Sequence, residues 1–163
     1  MLQPLSIRIR RAEDLDAEAI ASLLSKSFAE YESLYTVEGF AATAITPAQI
    51  ANRIVEGPVW LAVLDEMIAG TVSVIAKDDS LYIRGMAVLP VARGKRIGEL
   101  LLTHVEQFAA KEEFRRMLLS TTPFLHRAIR LYERFGFRRT TDGPHDLFGT
   151  PLFAMEKILP GKL

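Results

Sequence analysis

The sequence contains no cysteine, and its charges balance, with 20 Lys and Arg residues against 20 Asp and Glu residues. Disulfide bonds, thiolate metal sites and cysteine nucleophiles are therefore excluded, and a reducing compartment suits the chain. The balanced charge implies no long basic surface, so we expect no nucleic-acid partner. No hydrophobic run approaches the ~20 residues of a membrane-spanning helix, and the N-terminus lacks the apolar core of a signal peptide. We expect a cytoplasmic protein with no membrane partner.

The length and composition are those of a globular protein. The chain has 163 residues, of which 49% are hydrophobic and 25% are charged. A chain of this length is large enough to bury a substantial core and short enough to be one domain. We expect a single domain over residues 1–163.

Hydrophobic periodicity predicts a chain in which strands and helices alternate. The predicted strands are 6–11, 59–64, 68–77, 81–89, 117–121, 137–140 and 151–158. A first helix is predicted to begin at Asp14 or Asp16, and three further helices are predicted at 47–55, 97–111 and 123–135. Residues 30–43 are predicted to be a polar, aromatic-rich loop. In the helix over 123–135, Thr122 is the expected N-cap, Pro123 the first residue and Gly136 the C-terminal cap. The helix over 97–111 joins the strands 81–89 and 117–121, and such a connection implies that these two strands pair in parallel.

The segment 93–98 reads Arg-Gly-Lys-Arg-Ile-Gly and joins a predicted strand to a predicted helix. The first N–H groups of a helix lack partners, and the helix dipole adds partial positive charge there. Three basic side chains, Arg93, Lys95 and Arg96, increase that charge, and Gly94 and Gly98 allow backbone to approach a ligand. The segment favours a pyrophosphate, although it matches neither the nucleotide P-loop nor the dinucleotide fingerprint.

Two segments resemble the GNAT family of N-acetyltransferases. The basic turn resembles the family's R/Q-x-x-G-x-G/A signature, with Arg96 in place of the middle glycine, and residues 86–90 match the donor-binding strand. Residues 121–137 resemble the block N-x-x-A-x-x-L-Y-x-x-x-G-F. The matching residues are Ala128, Leu131, Tyr132, Gly136 and Phe137, while Leu125 stands where the family has asparagine. The resemblance is good over roughly residues 60–158 and weak over the N-terminal third.

The resemblance implies an α/β (α+β) fold with a mixed, mostly antiparallel sheet of six to seven strands and about four helices. It also implies acetyl-CoA as cosubstrate and no metal. The strands at 81–89 and 117–121 would splay apart and hold the pantetheine arm of the coenzyme. The residues that the resemblance assigns to coenzyme binding are Met86, Ala87, Val88, Arg93, Gly94, Lys95, Arg96, Ile97, Gly98 and Glu99.

Tyr132 matches the general acid of the family. Its ordinary pKa of ~10 keeps it protonated at neutral pH, so it can donate to a departing thiolate. The alternative is a core aromatic, because Tyr132 shares an apolar helix face with Leu125 and Phe135. The general base is open between His145, His126 and a water relay, and His104 is expected to be a packing residue. A backbone N–H near Val88 is the expected oxyanion donor.

The expected activity is acetyl transfer to the primary amine of a small molecule. Acetylation of a protein N-terminus or lysine, and a catalytically silent coenzyme-A-binding module, are the alternatives. The acceptor pocket is expected between the N-terminal helices, the 30–43 loop and the 141–150 loop. There, an acidic-aromatic cluster of Glu30, Tyr31, Glu32 and Tyr35 can attract an ammonium group. A homodimer through the apolar last strand, residues 152–156, is a further expectation.

Overall fold

The computed structural model describes residues 6–161, whose central feature is a mixed seven-stranded sheet. The strands are β1 (Ile7–Arg11), β2 (Val59–Leu64), β3 (Met67–Lys77), β4 (Ser80–Val88), β5 (Arg116–Thr121), β6 (Arg138–Thr140), β7 (Asp146–Leu147), β8 (Thr150–Pro151) and β9 (Phe153–Ile158). The helices are α1 (Ala17–Phe28), α2 (Val37–Thr43), α3 (Pro47–Glu56), α4 (Ile97–Lys111) and α5 (His126–Phe135). The sheet order is β1-β2-β3-β4-β5-β9-β6, and β7 and β8 form a separate hairpin. The mixed, mostly antiparallel seven-stranded sheet is the one that the resemblance implied, and the described residues form five helices where about four were expected.

Among the described residues, the sheet is antiparallel except at one pair of strands. Strands β4 and β5 run parallel, as the connection through helix α4 predicted, and all other neighbours are antiparallel. A parallel connection needs a crossover, which α4 supplies. This one parallel pair in the centre of the sheet is the feature that positions the candidate site.

Helices cover both faces of the sheet. Strand β2 shows this directly, because its side chains alternate between two hydrophobic cores. Trp60 and Ala62 lie in a core with α4 and α5, whereas Leu61 and Val63 lie in a core with α1 and α3. All six residues of β2 are buried, as expected for a central strand with both faces covered.

Two predicted element boundaries were wrong. Residues 30–43 are not a loop: a 3₁₀ segment at Ala29–Leu34 is followed by helix α2. Helix α5 begins at His126 with Leu125 as its N-cap, so Thr122 does not cap it and Pro123 lies outside it. Thr122 is buried beside the end of β5, and Phe124 packs edge-on against Tyr35 at 4.9 Å between ring centroids. These tertiary contacts override the local capping signal.

The last strand does not present the apolar interface that the sequence suggested for a homodimer. Strand β9 pairs with β5 on one side and with β6 on the other. Its apolar residues Phe153, Ala154 and Met155 are buried within the chain itself. A homodimer would therefore need a different surface.

Candidate active site

Strands β4 and β5 separate at the centre of the sheet. They pair from Ser80 with Arg116 to Ile83 with Leu119, while β4 continues to Val88 and β5 to Thr121. Beyond this pairing, the edge of β4 that faces β5 has no partner strand. The N–H of Leu89 donates to the Ala69 carbonyl at 2.8 Å. Because successive N–H groups of a strand point to opposite edges, the Val88 N–H points toward the V-shaped opening.

A first cavity of about 400 Å³ lies on one side of this opening. The predicted coenzyme-binding residues that line it are Met86, Ala87, Val88, Arg93, Gly94, Arg96, Ile97, Gly98 and Glu99. Lys95 is exposed and does not line the cavity. The fold thus brings together all but one of the predicted coenzyme-binding residues.

The turn before α4 is built to present backbone donors. From Gly94 to Glu99, no backbone N–H donates to an acceptor among the described residues. Gly94 has φ 84°, and Arg96 has φ 61° at the N-cap position. Left-handed backbone at Arg96 is unfavourable for a residue with a Cβ. The strained residue therefore lies in the same turn as the backbone N–H groups without acceptors. Such an arrangement binds an anion.

Arginines dominate the charge around the first cavity. Arg93 of the turn is ion-paired with Glu30, in the 3₁₀ segment after α1. Three further exposed arginines, Arg127, Arg130 and Arg134, lie along one face of α5 and line the same cavity. Sequence reasoning missed these three, although their spacing of three and four residues places them on one helix face. The net charge around the cavity is positive, as a polyphosphate ligand requires.

Tyr132 is buried at the boundary between this cavity and a second one. It is 7% exposed and belongs to the hydrophobic core, with its ring 5.8 Å from that of Phe137. Burial, together with a smaller contribution from Tyr35, raises the pKa of Tyr132 well above its ordinary value. Tyr132 is thus a core residue that also lines both cavities.

The second cavity, of about 260 Å³, lies on the other side of the opening. It shares Phe28, Met86, Leu125 and Tyr132 with the first. Its walls come from the elements expected to form the acceptor pocket, including Tyr35 and Thr43 near α2 and Leu147 of the β7–β8 hairpin. The sequence did not anticipate the two arginines in it, Arg53 from α3 and Arg84 from β4.

The β7–β8 hairpin is fixed to the start of helix α2 by hydrogen bonds. The Thr36 N–H donates to the Thr150 hydroxyl at 2.9 Å, and the Thr36 hydroxyl donates to the Phe148 carbonyl at 2.8 Å. A Cβ at Gly39 would lie 2.4 Å from the Thr150 hydroxyl, so only glycine allows this contact. Because hairpin and helix hold each other, they form a defined wall of the second cavity.

Several candidates from the sequence lie outside both cavities. His145 and His126 are exposed and line neither one. His104 packs against the edge of Trp60 at 4.8 Å, and burial lowers its pKa, as expected for a packing residue. Glu30 and Glu32 also line neither cavity, so the proposed acidic-aromatic cluster does not form there. Its aromatic members separate, with Tyr31 in the first cavity and Tyr35 in the second.

Within residues 6–161, no group of three or more His, Asp or Glu side chains is placed to hold a metal ion. In the same residues, no helix has the length and apolar character needed to cross a membrane.

The fold and the basic turn define an acyl-transferring class of enzyme, and comparison with known proteins identifies the family. Residues 18–137 match the acetyltransferase (GNAT) family, to which the chain therefore belongs. Over 82 residues the chain is 35% identical to N-acetylaspartate synthetase of Danio rerio. The aligned segment covers 49% of this chain and 29% of the synthetase. Over 84 residues it is 32% identical to the probable N-acetyltransferase camello of Xenopus laevis, covering 50% of this chain and 38% of that protein. The chain spans well under half the length of these curated relatives.

Solved structures support the same fold. The PaiA N-acetyltransferase of Thermoplasma acidophilum, in complex with coenzyme A, superposes with a TM-score of 0.82 at 20% identity and covers 94% of this chain and 99% of its own. A GNAT-family acetyltransferase of Staphylococcus aureus Mu50 gives 0.78 at 20% identity, covering 95% and 100%. At 20% sequence identity, these two superpositions show that the proteins share a fold.

Proposed function

We propose that the chain is a single acetyl-CoA-dependent N-acetyltransferase domain that acetylates the primary amine of a small molecule. One observation carries this proposal: the two cavities meet where β4 and β5 separate, and Tyr132 belongs to both. A thioester extended through the first cavity would face an amine held in the second. The shared wall is where acetyl transfer would take place.

The first cavity suits coenzyme A in its shape and charge. The free N–H groups of residues 94–99 would bind the pyrophosphate, and the arginines of α5 would attract the remaining phosphate. The uncharged edge of β4 at 86–88 would pair with the pantetheine arm as a strand would. The PaiA structure contains coenzyme A in the same fold, which supports this assignment.

In the proposed reaction the amine nitrogen attacks the thioester carbon, a C–N bond forms and the C–S bond breaks. The Val88 N–H would stabilise the oxyanion of the tetrahedral intermediate. Tyr132 would donate its hydroxyl proton toward the departing sulfur, and its raised pKa keeps that proton in place until it is needed. The proton lost by the amine would pass to water.

The second cavity contains no side chain that can act as a strong base. Asp, Glu and His are absent from the described residues that line it, so of the three candidate bases the water relay fits best. The positive charges of Arg53 and Arg84 disfavour an ammonium ion nearby and so lower the pKa of a bound amine. The acceptor would then react as a neutral amine without a dedicated base.

The size of the second cavity favours a small acceptor over a protein. The β7–β8 hairpin and α2 limit it to about 260 Å³, whereas a peptide would need a long open groove. The name of the relative N-acetylaspartate synthetase also refers to an acetylated small molecule. The cytoplasm stays our predicted location.

A panel of small primary amines and N-terminal peptides, incubated with acetyl-CoA, tests the proposal. We expect free thiol to appear with small amines, together with an acetylated product that gains the mass of one acetyl group. Acetylation of peptides alone would favour the protein-acceptor alternative. Calorimetric binding of acetyl-CoA without thiol release from any acceptor would favour a silent binding module.

A further inference from the structure

The half-buried arginines of the second cavity indicate the chemistry of the acceptor. We propose that the acceptor amine carries a carboxylate group, which Arg84 and Arg53 bind while the amine faces the thioester. This inference rests on the proposed function, because it takes the second cavity to be the acceptor site. It adds a substrate class, the amino acids and related amino carboxylates.

Only one of the three guanidinium nitrogens of Arg84 donates a hydrogen bond to an acceptor among the described residues. Its Nη1 donates to the Glu56 carboxylate at 2.7 Å, and the side chain is 19% exposed. Its Nε and Nη2 are buried and have no acceptor among the described residues. These two nitrogens form one edge of the planar group, with parallel N–H bonds at the spacing that a carboxylate bridges. The unsatisfied edge is therefore a bidentate donor for a carboxylate.

Arg53 adds a second positive charge beside Arg84. Its guanidinium lies against β4, where a Cβ at Gly85 would be 2.9 Å from its Nη1. Burial and the charge of Arg84 lower the pKa of Arg53 to about 10. Glu56, whose side chain is 47% exposed, is the carboxylate that acts on both groups. An anion between the two arginines would relieve their repulsion and satisfy their donors.

Among the described residues that line the cavity, none carries a negative charge that would attract a cation. Its other polar side chains are hydroxyls, including Tyr35, Tyr82 and Ser120, and the Ser120 hydroxyl is buried without a partner. A polyamine would be repelled by the two guanidinium groups, and an uncharged amine would leave their donors unsatisfied. A carboxylate-bearing amine meets both conditions.

The donors of Arg84 are covered by protein atoms in this conformation. Arg84 itself lines the cavity, so rotation about its outer side-chain torsions would bring the Nε–Nη2 edge into the cavity. Binding therefore involves a local side-chain movement, and the backbone of β4, paired with β3 along its length, can stay in place.

Equilibrium binding tests the inference without requiring turnover. Calorimetry would compare amino acids with their amides and with the matching decarboxylated amines, each added to the protein saturated with coenzyme A. We expect the acids to bind at least ~10-fold more tightly, the scale of a charged hydrogen-bonded pair. Arg84→Met and Arg53→Met should each remove this preference, and Arg84→Lys should restore part of it by keeping the charge without the fork. Arg115→Met, which changes an arginine 84% exposed and outside both cavities, should keep it.

Turnover with the same pairs separates this inference from the proposed function. Higher kcat/KM for acids than for amides, with the ratio falling toward one in Arg84→Met, would support both. Carboxylate-dependent binding without acetyl transfer would leave the inference standing and remove the proposed activity. Tighter binding or faster acetylation of amides or polyamines would overturn the inference while supporting transfer. An acid preference that persists in both methionine variants would also overturn it.

Discussion

Arg93 in the basic turn is ion-paired with Glu30, which lies just beyond the end of helix α1. The two side chains are 29% and 44% exposed, so solvent screens the pair and its contribution to stability is modest. Its main consequence is electrostatic. Glu30 neutralises one of the charges that would otherwise act on a phosphate bound by the turn.

Glu30→Gln should therefore strengthen acetyl-CoA binding. Releasing Arg93 from its carboxylate partner is expected to lower the dissociation constant about two- to fivefold, the range for a partly exposed ion pair. Calorimetry at two salt concentrations should show a steeper salt dependence than in the wild type. Glu32→Gln removes the same charge from a nearby exposed residue and is the matched control. Equal tightening in both variants would trace the effect to net charge and contradict a specific role of the pair.

Arg96→Gly should change stability and affinity in opposite directions. Arg96 has φ 61°, a conformation that glycine adopts at little cost, so the substitution is expected to raise the free energy of unfolding by about 1 kcal/mol. Loss of the charge beside the turn should weaken acetyl-CoA binding several-fold. Thermal unfolding and calorimetry measure the two effects. Lys95→Gly, at a position without positive φ, should not stabilise, and a stabilisation there would contradict the strain argument.

Gly98→Ala should act through helix α5. A Cβ at Gly98 would lie 2.6 Å from Cδ2 of Leu131, which would have to move within the first cavity. We expect acetyl-CoA binding to weaken by about 1–2 kcal/mol from overpacking, while the helix-propensity gain of alanine offsets much of the loss of stability. Adding Leu131→Ala should restore binding toward that of the Leu131→Ala single variant. A Gly98→Ala variant that binds normally would contradict the packing role.

The sequence predicted the basic turn and its helix because both depend on local features. The strand β4, the glycine-containing turn and the amphipathic α4 follow each other directly. The start of α3 is local in the same way, because Thr46 and Gln49 form a capping box there. Gly98 shows the limit of such reasoning. Its sequence interpretation was close approach to a ligand, whereas the structure gives it a packing role against Leu131, a residue distant in sequence.

Features set by tertiary contact could not be predicted from one sequence. Helix α2 was missed because Gly39 lowers its helix propensity, and that glycine is required by contact with Thr150. The second cavity lies among the elements expected to form the acceptor pocket, but its positive charge was missed for the same reason. Arg53 and Arg84 belong to different elements. Nothing local indicates that both line one cavity or that one edge of the Arg84 guanidinium lacks an acceptor. Only the assembled sheet and helices show the charge of the proposed acceptor pocket.

Tyr132→Phe separates the catalytic interpretation of this residue from the structural one. If the hydroxyl donates to the departing thiolate, kcat should fall by roughly 10²–10⁴, the usual scale for a lost general acid. Acetyl-CoA affinity should change little, because the ring keeps its packing against Phe137. Stability should also change little, since phenylalanine keeps the buried ring and removes only the hydroxyl. A large loss of stability with normal turnover per folded molecule would contradict the catalytic role.

The pH dependence of kcat provides an independent check on the same residue. Burial raises the pKa of Tyr132 above its ordinary value of 10.0, so the protonated, donating form persists at pH values where a free tyrosine ionises. The rate should therefore rise with pH as the acceptor amine loses its proton, and then stay level to about pH 10. A rate measured from pH 7 to 10.5 with a stable acceptor tests this, with unfolding followed in parallel. A falling limb well below pH 10 that disappears in Tyr132→Phe would show that the hydroxyl ionises earlier, and this would contradict the raised pKa expected from its burial.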